Sequence, residues 1–194
     1  PVEHIMSLRV IPNLNVYRPA DAKETAVSLE CILQDTSKPS AILLSRQGLP
    51  QLDCEIDAIK DGVRKGGYIV KDCIGKPDII IIATGSEVSL GIEVNSHMSD
   101  FNCRVVSMPC WERYFQLDEY ERDKIIPRDS GIRISIEAGA TLGWERLTGE
   151  NGLNIGIDHF GASAPQKDLA AEFGFVPEKI ESRIKDHIQK LKKK

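Results

Sequence analysis

Five side chains able to bind or react stand at or just past runs that read as strands. They are Arg46 after residues 41–44, Ser86 after 78–83, Ser107 near the end of 103–108, Glu137 closing 132–137, and His159 after 153–157. Open α/β sheets take their ligands in the crevice beyond the strand carboxyl ends, which makes Ser86, Ser107, Glu137 and His159 generic site candidates. Strand ends also need polar residues to cap helices and make turns, so position alone promotes none of the four. Arg46 carries a more specific chemistry. A guanidinium is a planar fork of donors that fits phosphate oxygens, which lysine and glutamine do not reproduce. With 29 acidic against 25 basic residues, a net charge of −4, the chain needs such local cations for any anionic substrate. An arginine that merely caps a strand end or pairs with a neighbouring acid remains the alternative.

The stretch 78–98 is what must position these groups. Ile79, Ile80, Ile81, Ile82 and Ala83 form an apolar run suited to a strand covered on both faces. Thr84 and Glu87 follow with the spacing of a capping box. A helix is expected from there, with Leu90, Val94, His97, Met98 and Phe101 on its apolar face. The Gly85-Ser86 turn has the geometry that binds phosphate, but neither a Gly-x-Gly-x-x-Gly nor a Gly-x-x-x-x-Gly-Lys pattern is present, and simple capping is the stronger reading.

Composition bounds the rest. With 194 residues, 41% hydrophobic and 28% charged, the chain is an ordinary globular protein of one or two domains. The acidic balance argues against a nucleic-acid surface, and the basic end at Lys185, Lys190, Lys192, Lys193 and Lys194 reads as a solvated helix terminus. No apolar run approaches the roughly 20 residues that span a bilayer, and no signal-peptide pattern follows Pro1. Cys31, Cys54, Cys73, Cys103 and Cys110 are odd in number and never form Cys-x-x-Cys, as expected for reduced, cytoplasmic thiols. The histidines His4, His97, His159 and His187 lack metal-ligand spacing, so no metal site is expected from this chain alone.

In order, the pattern predicts a helix over residues 2–10, a strand at 15–18, and a helix capped by Asp21 and Glu24 with Ala22, Ala26, Leu29 and Leu33 on one face. A buried strand follows at 41–44. Two strands are too few to close a core, so residues 1–50 read as an incomplete α/β segment. Residues 51–66, rich in carboxylates, read as a linker. From residue 67 to 194, strands alternate with helices as in a three-layer α/β/α domain, ending in a helix with Pro177 in its first turn and Ile180, Ile184, Ile188 and Leu191 in one stripe. The chain begins without an initiator methionine or a helix cap, which suggests a piece of something longer.

Several motifs are specific enough to name a family. Tyr17-Arg18-Pro19-Ala20-Asp21, Leu44-Ser45-Arg46-Gln47, Ala83-Thr84-Gly85-Ser86-Glu87, Val106-Ser107-Met108-Pro109, Glu137-Ala138-Gly139 and Phe160-Gly161-Ala162-Ser163-Ala164-Pro165 occur in this order. Together with Pro1-Val2-Glu3-His4 they make the chain resemble the C-terminal part of the transketolase family along its whole length. The resemblance implies that residues 1–50 end a pyrimidine-binding domain and that 67–194 form a domain with a five-stranded mixed, mostly parallel sheet, its first strand near Tyr68 antiparallel to the others.

It also implies a homodimeric, cytoplasmic enzyme that moves a two-carbon ketol unit from a ketose phosphate to an aldose phosphate, using thiamine diphosphate and a divalent metal, Mg or Ca. The cofactor does the bond breaking and the protein positions it. The family's Gly-Asp-Gly motif, activating glutamate and catalytic histidines are expected upstream of Pro1, so the chain alone is expected to be inactive and to bind neither cofactor nor metal. His4 is not one of those histidines. Arg46 alone carries over, as the arginine that holds the sugar phosphate; the loop Phe160 to Pro165 is expected to be structural. Deoxyxylulose phosphate synthase and the β chain of a 2-oxo acid dehydrogenase share the architecture, but Cys110-Trp111-Glu112-Arg113 and the 160–165 loop favour transketolase. A non-catalytic module that binds an anion or a partner is the reading from a different class.

Overall fold

Ile79–Ala83 (β4) is wholly buried and lies at the centre of a five-stranded sheet. The computed structural model describes residues 2–193. The strand order is Tyr68–Lys71 (β3), Cys103–Ser107 (β5), β4, Ile132–Ile136 (β6) and Leu153–Ile155 (β7). β4 runs parallel to β5 and β6, and β6 parallel to β7, while β3 is antiparallel to β5. The five-stranded mixed sheet that the resemblance implies, with its first strand antiparallel, is therefore present. Because both faces of β4 are covered, its isoleucines need no polar alternation; burial contributes about 1.5–3 kcal/mol for each such side chain.

Glu87–His97 (α4) and Pro177–Lys192 (α9) cover one face. Ile79 and Ile81 point there, towards Val88, Val94, Ile180 and Ile184. Trp111–Gln116 (α5), Glu119–Ile125 (α6) and Glu145–Thr148 (α7) cover the other, where Ile80 and Ile82 meet Trp111, Tyr114, Trp144 and Leu147. Gln166–Phe173 (α8) precedes α9.

The first fifty residues form His4–Arg9 (α1), Asn15–Tyr17 (β1), Ala22–Gln34 (α2) and Ser40–Ile42 (β2), with β1 and β2 paired as a parallel two-stranded sheet. Asp21 caps α2 by accepting from the Glu24 amide at 2.7 Å. The predicted buried face of α2 is wrong. Val27, Ser28 and Cys31 are buried with Glu24, whereas Leu33 is 77% exposed and Leu29 44%. The helix turns a mixed stripe inward, on which Val27 and Cys31 pack with Ile59 and Tyr68 while Glu24 finds donors on the five-stranded sheet. β2 is likewise only half-buried, and Leu44 beyond it is exposed.

Residues 51–66, read as a linker, hold Ile56–Lys65 (α3), with Ile59 and Val63 wholly buried against α2 and Tyr68. Its carboxylates hid an apolar spacing of three and four residues. The helix stops at Gly66, whose φ of 87° admits no ordinary side chain and whose added Cβ would lie 2.2 Å from the Cys110 carbonyl oxygen.

Candidate functional site

The capping box read at Thr84 and Glu87 does not form. The amino-terminal flank of α4 is Ser86, with no side-chain cap, and both predicted capping side chains turn into a buried ionic network instead. Arg18 Nη1 donates to Thr84 Oγ1 at 2.6 Å and to its carbonyl at 3.0 Å, and lies 2.5 Å from Glu87 Oε2. Thr84 Oγ1 in turn donates to Glu137 Oε1 at 2.6 Å. Glu137 receives both terminal nitrogens of Arg9, at 2.7 and 2.8 Å, and the indole N–H of Trp144 at 3.0 Å. Arg9 stacks 4.0 Å above the Trp111 ring.

Gly85 makes this close approach possible. Its φ is 56°, and a Cβ there would meet the Arg18 side chain at about 3.0 Å. Burial alone would raise the Glu137 carboxyl, but Arg9 and Arg18, with the Thr84 hydroxyl, hold it below the ordinary glutamate range. Burial likewise disfavours the Arg18 cation, and Glu87 and Glu137 more than offset it, so its pKa lies above the usual value.

A second buried carboxylate has no cation paired with it among the described residues. Glu24 accepts from Ser107 Oγ at 2.6 Å, Tyr68 Oη at 2.8 Å and the Ala20 amide at 2.7 Å. Burial raises its pKa despite these donors, and Asp21 adds to the rise. Both networks join residues 1–50 to the sheet that follows.

The four strand-end candidates therefore do not converge on one crevice. Glu137 and Ser86 belong to the first network, Ser86 through its hydroxyl, which donates to Glu87 Oε1 at 2.6 Å. Ser107 belongs to the second. His159 stands apart, exposed, with Nδ1 2.8 Å from the Phe160 carbonyl oxygen and its ring edge-on to Phe173. His97, expected on the apolar face of α4, is exposed and 3.2 Å from Glu181. Sequence reading missed Arg9 and Trp144 altogether, gave Glu24 only as a capping partner of Asp21, and gave Arg18 only as part of a motif.

Arg46 lies exposed in the loop after β2. Among the described residues it has no hydrogen-bond or ion-pair partner, unlike Arg9 and Arg18. Its neighbours Ser45 and Gln47 line a cleft of about 500 Å³ that reaches to Ser86, Ala138 and Phe175. The cleft runs between the loop after β2 and the carboxyl ends of β4 and β6, where open α/β sheets accommodate ligands. Among the described residues no cluster of three or more His, Cys, Asp or Glu side chains could hold a metal ion, and no helix is long and apolar enough to cross a membrane.

A mixed five-stranded α/β/α unit, tied by buried arginines to a preceding parallel βαβ piece, is the architecture this geometry defines. Residues 1–51 match the family model for the transketolase pyrimidine-binding domain, and residues 66–176 match that for the transketolase-like C-terminal domain. The chain belongs to the transketolase family. It is 42% identical to the transketolase of Geobacillus stearothermophilus over 188 residues, which are 95% of this chain and 28% of that protein. It is 41% identical to transketolase 7 of Craterostigma plantagineum, again over 28% of that protein. The solved transketolase of Leishmania mexicana superposes with a TM-score of 0.89 at 34% identity, covering 98% of this chain and 27% of that one. A Pichia stipitis transketolase in complex with sedoheptulose-7-phosphate superposes with the same score at 32% identity, covering the whole of this chain and 28% of its own. The chain thus spans about 28% of the length of the curated relatives it matches.

Proposed function

We propose that this chain is the C-terminal part of a transketolase, in which it carries the arginine that holds the sugar phosphate. The observation that carries the reading is Arg46: an exposed guanidinium with no carboxylate partner among the described residues, beside a cleft at strand carboxyl ends. Arg9 and Arg18, in the same fifty residues, are buried and ion-paired with glutamates, whereas Arg46 stands unpaired beside the cleft, free to meet an anion that arrives from outside. The reaction is transfer of a two-carbon ketol unit between sugar phosphates. Its substrates are of the class seen bound in Pichia stipitis transketolase, sedoheptulose-7-phosphate and xylulose-5-phosphate.

Thiamine diphosphate does not fit the residues of this chain alone. Among the described residues no group of three or more His, Cys, Asp or Glu side chains could hold a metal ion, and the sequence carries no Gly-Asp-Gly motif. The cofactor and its divalent metal, Mg or Ca, would be held by residues of the longer protein. We further propose domain limits at residues 1–50 and 67–194, with α3 packed between them. The proposed homodimer and further polypeptide would cover the apolar surface at Leu29, Leu33 and Leu44. Five free cysteines support a reducing, cytoplasmic setting.

The test is an assay of the longer protein for thiamine-diphosphate-dependent ketol transfer from xylulose-5-phosphate to an aldose phosphate. Turnover is expected with that pair. Pyruvate-dependent condensation in its place would favour deoxyxylulose phosphate synthase.

A further inference from the structure

A second cleft, of about 220 Å³, opens between α5, α6 and α7 on the other side of the molecule, beside the amino end of β6. Four guanidiniums line it, those of Arg122, Arg128, Arg133 and Arg146, against two carboxylates, Glu119 and Asp123. Both carboxylates are taken by one arginine. Arg128 Nη2 lies 2.6 Å from Glu119 and its Nε 3.2 Å from Asp123. Arg133 is anchored rather than neutralised, donating to the carbonyls of Leu147, Pro127 and Arg128 at 3.0 to 3.2 Å. Its charge therefore remains.

The guanidiniums of Arg122 and Arg146 have neither a hydrogen bond nor an ion pair among the described residues. Arg146 lies 4.1 Å above the Phe115 ring, which holds its guanidinium over the cleft. The floor is buried and partly apolar, formed by Ile126, Leu147 and Tyr114. Burial pushes the Tyr114 phenol up to about 12, and the charges of Arg122 and Arg133 oppose that rise.

We propose that this cleft is an anion site for a phosphate group, held by Arg122 and Arg146 against the fixed positive charge of Arg133. Two unpaired forks offer bidentate donors to phosphate oxygens, and a partly dry floor strengthens each contact. A nucleotide base is not expected to add to the binding. The aromatic face that could stack with one, Phe115, is already covered by Arg146, and the volume suits a phosphate or a small phosphomonoester. The site is separate from Arg46, which lies with the strand carboxyl ends.

The experiment is calorimetric titration of inorganic phosphate into the full chain carrying Arg46→Ala, so that the other arginine contributes nothing. Measurements are made at neutral to mildly alkaline pH in low chloride. One phosphate per chain is expected, with Arg122→Gln and Arg146→Gln each weakening binding about ten-fold or more, and with affinity falling as salt rises. Arg183→Gln, at an exposed arginine on α9, serves as the control and should leave the affinity unchanged. Since Arg146→Gln removes a packing contact, Arg122→Gln is read independently, with unchanged circular dichroism required of both. Absence of saturable binding overturns the proposal, as does equal weakening by Arg183→Gln or none by Arg122→Gln.

Discussion

Arg9 and Glu137 stand 128 positions apart in sequence and meet side by side, Nη1 to Oε2 at 2.7 Å, with side chains only 3% and 2% exposed. Removing one partner of such a pair leaves a buried charge without compensation, which costs about 3–5 kcal/mol. Glu137→Gln is therefore expected to lower the free energy of unfolding in urea by about that amount at neutral pH. The pH dependence has a definite sign. Because the folded pKa of Glu137 lies below the ordinary 4.5, its stabilisation is present above that value and is lost as pH falls through the folded pKa. The variant should lack this acid-side loss. A loss under about 1 kcal/mol would show that the pair does little more than an exposed ion pair.

Glu24 should behave in the opposite sense. Its folded pKa is raised above 4.5, so its contribution is full below that value and declines as pH rises towards the folded pKa. Glu24→Gln removes the titration. The melting temperature of the variant relative to the wild type should rise as pH increases from about 4.5, in the window where only the unfolded chain has ionised. A difference that is flat with pH would mean that Glu24 stays ionised in the folded protein.

How much of this was legible in the sequence depends on whether one period sufficed to fix an element. β4 was plain because a strand covered on both faces is uniformly apolar, and the stripe of α9 because Ile180, Ile184 and Ile188 repeat at helical spacing. α2 misled because its buried side is mixed: Glu24 and Ser28 face inward beside Val27 and Cys31, and the leucines that looked like core face outward. α3 was hidden by the carboxylates around Ile59 and Val63. The capping-box spacing at Thr84 and Glu87 was real, but Arg18 and Glu137, far away in sequence, compete for the same groups. Arg46 was legible as a residue of interest through its motif, while the cleft beside it depends on where the loop after β2 falls against β4.

Limited proteolysis bears on the proposed domain limits. With α3 packed on α2, cleavage should concentrate in the exposed loop 44–51 and spare residues 56–65. Early cuts inside α3 would contradict its packing.

Thiamine diphosphate should not bind the chain of residues 1–194 by itself, since the described residues form no metal-holding cluster and the sequence carries no Gly-Asp-Gly motif. Calorimetric titration checks this with magnesium and with calcium. Saturable binding at micromolar cofactor would require a site that the described side chains do not form.

Phosphate binding by Arg46 is tested most directly by steady-state kinetics on the longer enzyme, with a matched pair of phosphorylated and unphosphorylated acceptors. Charged hydrogen bonds contribute roughly 1.5 to 3 kcal/mol, so Arg46→Ala should lower kcat/KM for the phosphorylated acceptor by about 10- to 150-fold. The unphosphorylated acceptor never makes the contact and should be turned over almost as before; an equal loss on both acceptors would contradict phosphate binding by Arg46.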